Sequence, residues 1–113
     1  MEYIIYLLLM MYSFNVDYVN CYDGDTCKFK MLNIEIRVRL SDIDSIEKGE
    51  EGWKESKEYL EKELKKGKVI KIKNVRMGYY NRIVGVVEID GIDINKRMLE
   101  LGLVEEYKFK RRS

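Results

Sequence analysis

The chain has 113 residues, 36% charged and 46% apolar, which suits one soluble globular domain with a single modest core. Its 21 basic residues offset 20 acidic ones for a net charge of +1, so bulk charge does not announce a polyanion partner, although a local basic face remains open. Histidine is absent, which excludes an imidazole base and a histidine-held zinc and leaves hard cations held by oxygen.

Residues 3 to 16 carry no charge, and the run IIYLLLMM has the length of a signal-peptide core but is too short for a standard membrane span. Glu2 stands where a basic leader would begin, and no Ala-x-Ala cleavage site follows. Two readings of residues 1–13 stay open. One is a signal or anchor touching a membrane through residues 3–12, with the protein secreted or tethered. The other is an apolar arm on a cytoplasmic domain.

Residues 14–107 read as one folded domain. NVDYVNCY and TCKFKML have the β-branched and aromatic content of strands, joined by Asp23-Gly24-Asp25. Such a connection is a common hairpin turn, because glycine accepts the positive φ of primed turns. Cys21 and Cys27 bracket the turn; they pair only if the register sets them opposite each other, which the sequence does not fix. NIEIRVRL alternates, with Ile34, Ile36, Val38 and Leu40 on one face and Glu35, Arg37 and Arg39 on the other.

An acidic loop, SDIDSIEKGEEG, follows. Residues 50 to 66 are predicted to form a helix: acids lead, Lys65 and Lys66 close it, and Gly67 stops it. Trp53, Leu60 and Leu64 fall on its apolar face, which places Trp53 in the core. VIKIKNV is a further strand, and RIVGVVEIDGIDIN a strand pair around Asp90-Gly91. Asn95 is predicted to cap a short helix that ends at Gly102, and residues 108–113 form a basic tail. The expected fold is mainly β with α (α+β): a five-stranded OB-type barrel with one inserted helix and a short second helix.

If the first three strands form a meander, Asp25 at the hairpin tip meets Asp44 and Glu47 in the acidic loop. Two carboxylates with backbone oxygens and water suit Ca²⁺. Arg39 and Arg82 complete a parts list for phosphodiester hydrolysis, in which a metal and arginines neutralise charge and a carboxylate handles water. Each residue also has a plain structural reading: a turn aspartate, a solvated loop acid, or an outward arginine paired with Glu35 or Glu51. The acidic loop lacks EF-hand spacing.

Four blocks carry a resemblance. Asp23-Gly24-Asp25-Thr26, then Arg39 to Asp44 and Glu47, then Tyr80-Asn81-Arg82, then Asn95 with Gly102-Leu103 resemble the runs D-G-D-T, R-L-x-x-[IV]-D-x-P-E, Y-G-R and V-N-x6-G-L of the staphylococcal nuclease-like (thermonuclease) family. The resemblance implies an OB-fold nuclease, a hydrolase that uses Ca²⁺ on DNA or RNA, with the 5′-oxygen leaving. It assigns metal carboxylates to Asp25 and Asp44, a backbone carbonyl ligand to Ser45 and the general base to Glu47. It also assigns phosphate binding to Arg39 and Arg82, a supporting acid to Asp23, and nucleotide contacts to Tyr80 and Tyr107.

Ile46 replaces the family's proline, Asn81 its glycine, and Met77-Gly78-Tyr79 a charged pair before Y-G-R. The family's C-terminal helix is expected to be missing. A monomer is expected. The alternative reading is a non-catalytic OB-fold module that binds nucleic acid or protein.

Overall fold

The structure, a computed structural model, describes residues 13–78 and 82–107. The apolar run and basic tail therefore lie outside the described residues. Among those described, the elements in chain order are β1 (Phe14–Cys21), β2 (Thr26–Met31), β3 (Ile34–Leu40), β4 (Ile43–Asp44), α1 (Trp53–Lys66), β5 (Ile70–Met77), β6 (Ile83–Ile89), β7 (Ile92–Asp93), α2 (Ile94–Glu100) and β8 (Glu105–Glu106).

The first three strands form the expected antiparallel meander. β1 pairs with β5 and β5 with β6, both antiparallel, and β6 returns parallel to β3. That last pairing closes five strands into a barrel, the OB-type architecture expected. β4 and β8 form a separate two-stranded ribbon, which pairs Asp44 with Glu105. The core holds Phe29, Val38, Leu40, Leu60, Leu64, Ile72, Val87 and Met98. Helix α1 lies against β1 and buries Ser56, Leu60 and Leu64, residues four apart on one face. No described helix is long and apolar enough to cross a membrane.

Local chemistry explains where expectation and structure part. The helix begins at Trp53, not residue 50, because Gly49 and Gly52 both take φ of 93° and residues 47–53 turn instead. Trp53 is consequently half-buried rather than in the core. The expected cap, Asn95, is buried inside the first turn of α2. Asp93 caps instead, accepting from the Lys96 N–H at 2.9 Å. Asp90-Gly91 forms the expected hairpin turn, both residues at positive φ.

Cys21 and Cys27 are disulfide-bonded. The register between β1 and β2 shifts between Tyr18 and Asn20, a β-bulge that adds one residue to β1. Val16 and Tyr18 turn inward ahead of it; the extra residue changes the phase, so that Cys21 also faces the core, opposite Cys27.

Candidate functional site

The β1–β2 turn is built around Asp23, whose Oδ1 accepts the N–H groups of Asp25 and Thr26, both at 3.0 Å. Below it the Tyr22 N–H donates to the Thr26 carbonyl at 2.8 Å, and the disulfide closes the base. Gly24 is absent from the residues at positive φ. It is glycine because the turn lies against α1: a Cβ there would come within 1.9 Å of Ser56 Oγ and 3.3 Å of Ser45 Cβ. We expect Gly24→Ala to push the turn off the helix and lower stability, and Ser56→Gly to restore much of it. Urea unfolding of the single and double variants checks this.

The turn aims Asp25 inward, leaving it 8% exposed. Its Oδ1 accepts from Thr26 Oγ1 and its Oδ2 from the Ser45 N–H, both at 2.8 Å. The Asp25 carbonyl accepts the Leu40 N–H at 2.7 Å. Asp25 is thus fastened to the end of β3 and to the residue after β4, which brings together segments twenty residues apart in sequence.

Arg39 binds the same segments. Its Nη1 donates to the carbonyls of Leu40 and Ile43 at 2.9 and 2.8 Å. Its Nη2 pairs with Asp44 and lies 3.5 Å from Asp25 Oδ2. The Tyr107 ring centroid stands 5.5 Å from the guanidinium, and the Tyr107 N–H is tied to the Asp42 carbonyl at 2.9 Å. Arg39 therefore pairs with the two expected metal carboxylates, not with Glu35 or Glu51.

These groups open on a cleft of about 1080 Å³. Seven of its described lining residues are acids, Asp23, Asp25, Asp44, Glu47, Glu50, Glu105 and Glu106, against the single ammonium of Lys48. Burial pushes Asp25 up, but hydrogen bonds from Asp23, Ser45 and Thr26 and the nearby Arg39 outweigh it and hold its carboxyl below the usual range. Asp23 takes the opposite course: burial, its hydrogen bond to Asp25 and the Asp25 charge raise it to about 6.

In chelator, Asp23 should therefore keep its proton from its unfolded value of 3.8 up to about 6. Over that window the folded chain holds more protons than the unfolded one, so this group's contribution to stability falls as pH rises. Asp25 acts in reverse: its contribution is present above its unfolded value and lost as pH falls. Urea unfolding between pH 4 and 7 should show the Asp23 slope in wild type and lack it in Asp23→Asn.

The structure thus brings Asp23, Asp25, Asp44, Ser45 and Glu47 into one cleft, with Arg39 and Tyr107 beside it. Arg82 stands in an adjoining cleft with Tyr22, Asp23, Thr26 and Arg37. Tyr80 and Asn81 lie outside the described residues. Sequence reasoning missed Trp53 and Glu105. Trp53 lines the acidic cleft with the ammonium groups of Lys48 and Lys57 at 5.8 and 5.5 Å from its ring. Its position beside the acidic loop was the available signal. Glu105 reaches the cleft through a two-residue strand pairing that leaves no periodicity to read.

Among the described residues no group of three or more Cys, Asp or Glu side chains is arranged to hold a metal ion. The donors at this site are instead two carboxylates, Asp25 and Asp44, in an acid-lined cleft beside the Ser45 backbone. Oxygen donors of this kind, completed by carbonyl and water, fit a hard cation such as Ca²⁺.

A family model described as staphylococcal nuclease homologue matches residues 37–113, more than half of the chain. The matched span includes Arg39, Asp44, Glu47 and Arg82 and begins after the Asp23–Asp25 turn. Comparison with curated proteins finds no match.

Proposed function

Because the chain belongs to the staphylococcal nuclease homologue family, we propose that it is a Ca²⁺-dependent nuclease hydrolysing phosphodiester bonds of DNA, RNA or both. One observation carries this reading: Asp25 and Asp44, from separate segments, converge through Arg39 on a cleft whose described lining holds seven acids and one ammonium. Such a cleft repels a polyanion by itself and admits a phosphate once a cation offsets its charge.

Asp25 and Asp44 would hold Ca²⁺ together with the Ser45 carbonyl. The chemistry such a cation supplies when bound is polarisation of a phosphoryl oxygen and neutralisation of its charge. Glu47, exposed at the cleft edge, accepts the proton of the attacking water as its oxygen bonds to phosphorus; the bond from phosphorus to the 5′-oxygen breaks, and the leaving 5′-oxygen takes a proton from solvent. Arg82 donates to the phosphoryl oxygens as negative charge grows on them, and so does Arg39 through Nη2 once Asp44 is taken up in holding the cation. Asp23 holds the turn that aims Asp25, and Tyr107 steadies the Arg39 guanidinium.

The test is incubation of the pure protein with single- and double-stranded DNA and with RNA, in Ca²⁺ and in excess EGTA. Cleavage that requires Ca²⁺ supports the reading. No cleavage of any substrate, or cleavage indifferent to EGTA, overturns it. The Cys21–Cys27 bond favours export to an oxidising compartment among the readings of residues 1–13. Recovery of the native protein only from cytosol would refute that.

A further inference from the structure

We propose that the outer face of β2 and β3 carries a second nucleotide subsite, in which Tyr22 stacks on a base and Arg37 and Lys28 hold the phosphate next to the scissile one. This rests on the nuclease reading and extends it to residues given no part in holding the cation or in the chemistry. Arg37 lies two residues before Arg39 on the same face of β3, hence about 7 Å along the strand. That separation is close to the step between phosphates in an extended single strand.

Register supplies the neighbouring charges. Lys28 is the cross-strand partner of Arg37, as Thr26 is of Arg39. On the other side β6 runs parallel to β3 with Ile83 opposite Val38, which brings Arg82 beside Arg37. Arg37, Arg82, Thr26, Tyr22 and Asp23 line one cleft of about 340 Å³. Lys28 also pairs with Glu35 at 3.4 Å.

Tyr22 connects the two sites. It lines both the acidic cleft and the basic one, and it is 41% exposed although aromatic. The Arg37 guanidinium lies 5.5 Å from its ring centroid, which steadies the ring as a platform. An aromatic ring beside a line of cations fits the shared chemistry of unpaired nucleic acid strands: a π-face for each base and a cation for each phosphate. A base inside a duplex is stacked on both faces, so the subsite takes an unpaired, unstacked nucleotide.

The test is anisotropy of a labelled oligothymidylate, in EGTA and again with Ca²⁺ on a Glu47→Gln background. Tyr22→Ala should weaken binding about 10-fold, and Tyr22→Phe should bind nearly as wild type. Moving one abasic site along the oligomer should find a position that weakens wild type similarly and removes the difference between wild type and Tyr22→Ala. Arg37→Ala should weaken binding and lower the salt slope by about one counterion.

Circular dichroism establishes that each variant is folded. Folded Tyr22→Ala and Arg37→Ala that bind as wild type would overturn the subsite while leaving the nuclease reading intact. The expected binding pattern in a protein that never cleaves would keep the subsite and remove the nuclease reading. No binding in either condition by the proteins that keep Tyr22 and Arg37 overturns the subsite, and the cleavage assay then decides the nuclease reading separately.

Discussion

Arg39→Ala is expected to lower the rate of Ca²⁺-dependent cleavage by about 10³-fold, the loss typical of a donor aimed at developing charge. It should also lower stability by about 2 kcal/mol, below the cost of breaking a fully buried pair because the Asp44 side chain is 42% exposed. The two effects have one origin. A single guanidinium holds two backbone carbonyls at the β3–β4 turn and two carboxylates from different segments. Arg39→Lys should rescue little of either, since an ammonium cannot reproduce the planar fork that spans these acceptors. Single-turnover cleavage and urea unfolding of both variants check the pair of effects. A folded Arg39→Ala protein with near-normal activity would contradict them.

Asn95→Ala should have the largest effect on folding, a loss of about 3 kcal/mol out of a total of about 5–15 for such a domain. Asn95 is 5% exposed, and its amide donates to the carbonyls of Ser41 and Gly85 at 3.0 and 3.3 Å. Its oxygen accepts the Val87 N–H at 3.1 Å. Alanine would take this partner from the buried Ser41 carbonyl and Val87 N–H, while the Gly85 carbonyl would keep the Ser41 N–H at 2.8 Å. Asn95→Asp should also destabilise, because it turns a carboxylate towards two carbonyl oxygens. Thermal unfolding gives the comparison, with a drop of roughly 12–20 °C expected for the alanine variant. The effect should reach the site, because Ser41 follows the β3 segment that carries Arg39.

Both residues show what the sequence could and could not convey. The alternation of residues 34–40, the Asp90-Gly91 turn and the order of strands and helices were legible because each is a local pattern. That Asp25, Asp44 and Glu47 would meet in one cleft was legible because a three-strand meander brings the hairpin tip to the loop after β3. The role of Asn95 was not, since its three partners come from the end of β3 and from β6, and only closure of the barrel brings them together. Gly24 was read as a turn residue; its actual constraint, Ser56 on a helix thirty-two residues later, is tertiary. The cysteine pairing depended on one bulge residue in β1, which changes the register without changing the composition.

The central claim, that Asp25 and Asp44 hold the catalytic cation, is tested most directly by Ca²⁺ titration followed by the fluorescence of Trp53, the only tryptophan, which lines the cleft. The account predicts a saturable response in wild type that is lost or strongly weakened in folded Asp25→Asn and Asp44→Asn, with Mg²⁺ a poor substitute. Saturable Ca²⁺ binding that survives both substitutions, or no binding by wild type in fluorescence or calorimetry, would contradict it.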